Sequence, residues 1–127
     1  MFSHIMIGTN DLDKAKKFYD AILGTLGVPA AFVDKERNRM FYRTQQGVFA
    51  VTKPIDGKPA SSANGGTIGF AAKSPAEVEA WHKAGLANGG KTIEDPPGVR
   101  EGAAGKLYLA YLRDPDGNKV CALHRMA

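Results

Sequence analysis

Few side chains in this sequence are able to do chemistry. His4 lies within an apolar run from Phe2 to Gly8, His82 and His124 are the other two histidines, and Cys121 is the one cysteine. An imidazole can serve as general base, hydrogen-bond donor or metal ligand. Alone in an apolar strand, however, His4 reads first as a packed or half-exposed side chain. A cysteine acts as nucleophile or ligand only as its thiolate, and otherwise behaves as a small buried hydrophobe, which is the plainer reading of Cys121. His82 falls beside the inner face of a helix and His124 at an expected surface position. No Gly-rich phosphate-binding loop joins a strand to a helix.

The elements that must position these groups follow from spacing. After Phe2 to Gly8 comes Asn10-Asp11, either of which can cap a helix. Leu12, Ala15, Phe18, Tyr19, Ile22 and Leu26 then recur by threes and fours, with Lys14, Lys16, Lys17 and Asp20 between them, giving one buried helical face. Gly24 and Gly27 end it. Short β-favouring runs follow at Ala31 to Asp34, Met40 to Thr44 and Val48 to Lys53, with a turn at Gly47. Pro54 to Gly66 lacks periodicity and reads as a linker. The pattern restarts with a strand at Thr67 to Ala72, and Ser74-Pro75-Ala76-Glu77 is a capping-box start for a second helix that ends at Asn88-Gly89-Gly90.

Adding 63 superimposes the helices: Asp11 falls on Ser74, Phe18 on Trp81, Ala21 on Ala84, Leu23 on Leu86 and Gly27 on Gly90. Farther on the offset becomes 70, pairing Arg43 with Arg113, Gly47 with Gly117 and Val51 with Cys121. Seven extra residues therefore enter the second copy, in the Gly-rich segment Pro96 to Gly105, read as a mobile surface loop or a lid. The expected organisation is a single α+β domain of duplicated βαβββ modules: module one at 1–53, a linker at 54–66 and module two at 67–127. Two such modules would enclose a cavity for a small ligand.

With 127 residues, 43% of them hydrophobic, the chain can bury one core. The lone cysteine allows no intramolecular disulfide, the first residues lack a signal-peptide pattern, and no stretch nears the roughly 18 apolar residues of a spanning helix. A cytoplasmic protein without membrane contact is expected. The net charge of +4 is scattered along the chain without a basic block or interleaved aromatics, which speaks against nucleic acid. The mild positive field favours small anions over cations.

Ser3-His4-Ile5-Met6 on the first strand, Asn10-Asp11-Leu12 with Phe18-Tyr19 on the helix, and the closing Arg113-Asp114-Pro115-Asp116-Gly117-Asn118-Lys119-Val120 together resemble the vicinal-oxygen-chelate superfamily, which includes glyoxalases, bleomycin-resistance proteins and extradiol dioxygenases. The resemblance spans nearly the whole chain. It implies a half-open mixed β-barrel cavity with helices outside, a small-molecule ligand, and a homodimer. Metal-dependent members carry a ligand on the first and last strand of each module. By the resemblance and the offsets, those positions are His4, Val51, Thr67 and Cys121. Of these only His4 matches the usual ligand; Val51 has no donor atom, Thr67 is a poor ligand, and Cys121 suits only soft or borderline ions. A divalent metal anchored by His4 is thus implied by the family and opposed by the residues.

In the family position His4 is a general base, a hydrogen-bond donor to an anionic ligand, or the remnant of a lost metal site. Strand alternation places Met6 with His4, Phe49 with Val51, Gly69 with Thr67 and Leu123 with Cys121, the expected lining of the cavity. Two functions follow from the resemblance. One is glyoxalase-like or dioxygenase-like processing of a small anionic organic molecule by isomerisation, lysis or oxidation. The other is metal-free binding or sequestration of the bleomycin-resistance type, although a cationic drug suits this basic chain poorly.

Overall fold

The computed structural model describes residues 1–126. The first half runs β1 (His4–Gly8), α1 (Leu12–Gly24), β2 (Phe32–Asp34), β3 (Arg39–Thr44) and β4 (Gly47–Thr52). The second runs β5 (Ile68–Ala71), α2 (Pro75–Ala87), β6 (Lys91–Thr92), β7 (Gly98–Gly102), β8 (Gly105–Arg113) and β9 (Lys119–Arg125). Both helices start where their caps dictate. Asp11 accepts a hydrogen bond from the Lys14 N–H at 3.0 Å, and Ser74 from the Glu77 N–H at 3.1 Å. Each cap satisfies a donor the helix cannot, worth about 1 kcal/mol. The two helices span equivalent positions 63 residues apart.

The strands form two mixed sheets. One has the order β1-β4-β3-β2; the other has β5-β9-β8-β6, with β7 also paired to β8. In each, the first strand pairs parallel with the last and sits at the sheet edge. The expected barrel does not form, because β1 and β5 end their sheets rather than pairing onward. The Gly-rich segment also differs from expectation. Gly98–Gly102 pairs antiparallel with β8 from Leu109 to Gly105, so half of it is a strand whose backbone groups facing β8 are satisfied, not an irregular loop.

One core serves both halves. Phe18, Tyr19 and Ile22 of α1, Val78 and Trp81 of α2, Met40, Tyr42 and Val51 of the first sheet, and Leu112, Val120 and Ala122 of the second are all buried in one cluster. Burying a large apolar side chain contributes roughly 1.5–3 kcal/mol. Gly85 lets α2 come close to α1 and β8: a Cβ there would lie 2.2 Å from Leu112 Cδ1 and 3.2 Å from Ile22 Cγ2.

The Asp114-Pro115-Asp116-Gly117-Asn118 turn does more than reverse the chain between β8 and β9. The buried Asp114 carboxylate accepts from the Tyr19 hydroxyl at 2.6 Å, from the Asp116 and Asn118 N–H groups at 2.9 Å each, and from Asn118 Nδ2 at 2.9 Å. Asp116 accepts from Thr9 Oγ1 at 2.5 Å and from the Asn10 N–H at 2.8 Å. Asn118 Nδ2 also reaches the Gly8 carbonyl at 3.2 Å. Three side chains of the turn, Asp114, Asp116 and Asn118, thereby tie the β1–α1 corner to the second sheet. No helix among the described residues is long and apolar enough to cross a membrane.

Candidate functional site

Where the start of β1 approaches β5, the two halves leave a pocket of about 200 Å³, with Phe2, His4, Tyr42, Phe49, Ile68 and Phe70 among its walls. Its floor is aromatic. The Phe49 ring meets Phe70 edge-on at 5.2 Å and lies 4.9 Å from Tyr19 and 6.1 Å from Tyr42. The Tyr42 hydroxyl donates to Asp20 at 2.8 Å, and burial together with that carboxylate drives its pKa far above the ordinary value. Tyr42 is therefore a neutral wall, fixed in place, rather than an acid.

Thr44, Gln46, Gly69 and Phe70 also wall an adjoining groove of about 640 Å³, which runs to the last turn of α1 and brings in Arg43 and Lys73. No Asp or Glu lines either space. Neither Arg43 nor Lys73 forms an ion pair among the described residues. The Arg43 guanidinium lies over the Phe41 ring, 5.4 Å from its centroid, which steadies it at the rim.

Of the residues expected in a cavity, the structure brings together His4, Phe49 and Gly69. His4 is exposed on the pocket wall, its Nδ1 2.8 Å from Ser3 Oγ. Met6 shares its strand face and is 38% exposed, but does not line the pocket. Phe49 and Val51 point to the opposite face: the register sets His4 beside Val48 and Met6 beside Ala50, so the position on the His4 face equivalent to Cys121 is Ala50. Val51 is fully buried in the core, which corrects its expected place in the lining, whereas the Phe49 ring reaches the pocket from the core side. The offset of 70 fails here because the two hairpins differ. Only Gln45 and Gln46 link β3 to β4, whereas Asp114 to Asn118 link β8 to β9.

Thr67 lies just before β5, exposed and outside the pocket. Gly69 lines both spaces, and a Cβ on it would lie 3.2 Å from Cys121 Sγ. Cys121 is 5% exposed, and Leu123, half-buried on the same strand face, lies away from the pocket. Burial raises the Cys121 thiol to about 11, with Glu94 adding to the rise and Lys119 opposing it. The Lys119 ammonium sits over the Tyr111 ring at 4.8 Å and pairs with Glu94. Two histidines stay out of the site. His82 is half-buried beside Thr92, its pKa lowered by burial against the opposing pull of Glu79, and His124 is half-buried with Nδ1 3.0 Å from the Ala72 carbonyl, not at the surface as expected.

Sequence reasoning did not single out Phe2, Gln46, Phe70 or Lys73, and used Arg43 only to align the copies. Alternation from Gly69 does not select Phe70, which points the other way and reaches the pocket at the edge of β5.

The residues do not fit the metal site that the resemblance implies. No group of three His, Cys, Asp or Glu side chains among the described residues is arranged to hold an ion. His4 is flanked across the strand pair by Val48 and, beyond it, Ala50, neither with a donor atom, and the Cys121 thiol is held protonated by burial.

Residues 1–122 match the family model of the Glyoxalase/Bleomycin resistance protein/Dioxygenase superfamily. Among solved structures, a glyoxalase/bleomycin resistance protein from Albidiferax ferrireducens T118 is 62% identical, with a TM-score of 0.95 over 98% of this chain and 99% of that one. A glyoxalase-related enzyme from Fulvimarina pelagi shares 19% identity, with a TM-score of 0.74 over 98% of this chain and 88% of that one. A lactoylglutathione lyase from Agrobacterium tumefaciens shares 20%, with a TM-score of 0.67 over 98% and 92%. The likeness to these last two is one of fold.

Proposed function

Since this chain belongs to the glyoxalase, bleomycin resistance protein and dioxygenase superfamily, we propose that it binds a small anionic organic molecule where its two halves meet, through its own side chains rather than a metal. One observation carries this reading: the pocket and groove are walled by two unpaired cations and an imidazole, with no carboxylate. Pocket walls of one sign concentrate ions of the other. Arg43 and Lys73 would hold the anionic group, Gln46 would orient it, and the apolar floor would take the remainder. His4 is the acid–base group for any isomerisation, lysis or oxidation of the bound molecule. Sequestration of a cationic drug is disfavoured by the same walls.

The test is a titration with small carboxylates and matched primary amines, read by calorimetry, on the wild type and on the Arg43→Gln/Lys73→Gln double variant. Carboxylates should bind, amines should not, and the double variant should weaken carboxylate binding about tenfold, as expected for losing a charge-assisted contact. Equal binding of amines would refute the reading. Elemental analysis of untagged protein tests the metal-independent part. About one bound ion per chain in wild type, lost in His4→Ala, would overturn it.

A further inference from the structure

We propose that the molecule bound at this junction carries a single aromatic ring with a short carboxylate arm. This rests on the anion reading above and adds the identity of the apolar part. Three features of the pocket point to a ring. The first is Phe2, which stands at the pocket 67% exposed, with no packing partner in the core cluster to account for it. A large exposed aromatic beside a pocket is covered when a flat apolar group enters. The second is the arrangement of Phe49 and Phe70, held perpendicular at an interplanar angle of 87°. Both rings line the pocket, giving it an aromatic wall against which an incoming ring can pack in the geometries that aromatic pairs prefer. The third is size: about 200 Å³ lies below the roughly 300–1,000 Å³ of ordinary ligand pockets and suits a small group such as one ring.

The carboxylate arm follows from where the cations lie. Arg43 and Lys73 line the adjoining groove but not the aromatic pocket, whereas Gln46 and Thr44 line both. A ring among Phe2, Phe49 and Phe70 with a short arm beyond it directs the anionic group past Gln46 toward the cations. A carboxylate attached directly to the ring would be held back among the aromatic walls.

The experiment compares phenylacetate, benzoate, hexanoate and phenethylamine by backbone amide chemical-shift titration of the whole chain, following Gly69 and Gln46 as reporters of the site. Phenylacetate should bind about threefold to tenfold more tightly than hexanoate, the range an aromatic pair adds beyond area burial, and more tightly than benzoate. Phe2→Ala removes an exposed side chain and leaves the core intact. It should reduce that preference to less than twofold. Hexanoate binding as tightly as phenylacetate, or a preference unchanged in Phe2→Ala, would sink the aromatic assignment while leaving the anion reading in place. Phenethylamine matching phenylacetate, or no carboxylate moving Gly69 and Gln46, would sink both.

Discussion

Tyr19→Phe deletes one oxygen from the joint between the two halves. The Tyr19 hydroxyl donates to Asp114 at 2.6 Å, with both residues buried. A hydrogen bond to a charged group contributes about 1.5–3 kcal/mol net. Asp114 keeps three other donors, from the Asp116 and Asn118 backbones and from Asn118 Nδ2, so it is not orphaned and the lower half of that range applies. The ring itself stays packed against Phe18 and Phe49. The loss should therefore be about 2 kcal/mol at pH 7.5, measured by urea unfolding with the buried Trp81 as fluorophore.

The pH dependence makes the prediction sharper. Burial first, and then the Asp114 charge, hold the Tyr19 pKa well above its ordinary 10.0. The native state therefore keeps its proton where the unfolded state has lost it. Stability from this group is complete below pH 10 and falls above it by about 1.4 kcal/mol per pH unit. At pH 11 the gap between wild type and Tyr19→Phe should have narrowed by about 1.4 kcal/mol. A loss under 0.5 kcal/mol at pH 7.5, or a gap that stays constant from pH 8 to 11, would refute the argument.

The thiol of Cys121, raised to about 11 by burial, should resist iodoacetamide in native protein at pH 7.5 and react within the same period in urea, as read by intact mass. Native reactivity equal to the unfolded rate would contradict its burial. Gly85→Ala should destabilise the fold by about 1–3 kcal/mol despite the better helix propensity of Ala, because the new methyl group meets Leu112 and Ile22 where α2 crosses α1. An unchanged midpoint in urea would show that the crossing has room to spare.

Local chemistry made much of the fold legible in the sequence. Asp11 and Ser74 set both helix starts, and the three-and-four spacing of Phe18, Tyr19 and Ile22 marks the core face. Strand β7 was hidden because Pro96, Pro97 and its glycines carry loop propensity, which backbone pairing to β8 overrides. The face of Val51 was misread because a side-chain period of two turns a one-residue error in an offset into a reversal. The site was less legible still. Lys73 and Gln46 meet only through the packing of two sheets, and the Thr9–Asp116 contact joins residues 107 apart in sequence, which no local pattern encodes.

The sheet order has a consequence during synthesis. The one partner of β5 in its sheet is β9, and β9 also completes β8. A ribosome that has made residue 71 must therefore add roughly fifty more before that strand's open edge is covered, at a pace of about 5–20 residues per second. For those seconds the nascent second half offers an unpaired apolar edge to its neighbours on a polysome, while the first half already holds all four strands of its own sheet. Chaperone demand in this protein should accordingly fall on the interval between β5 and β9, and a stop codon before β9 should yield aggregate rather than a shortened soluble domain.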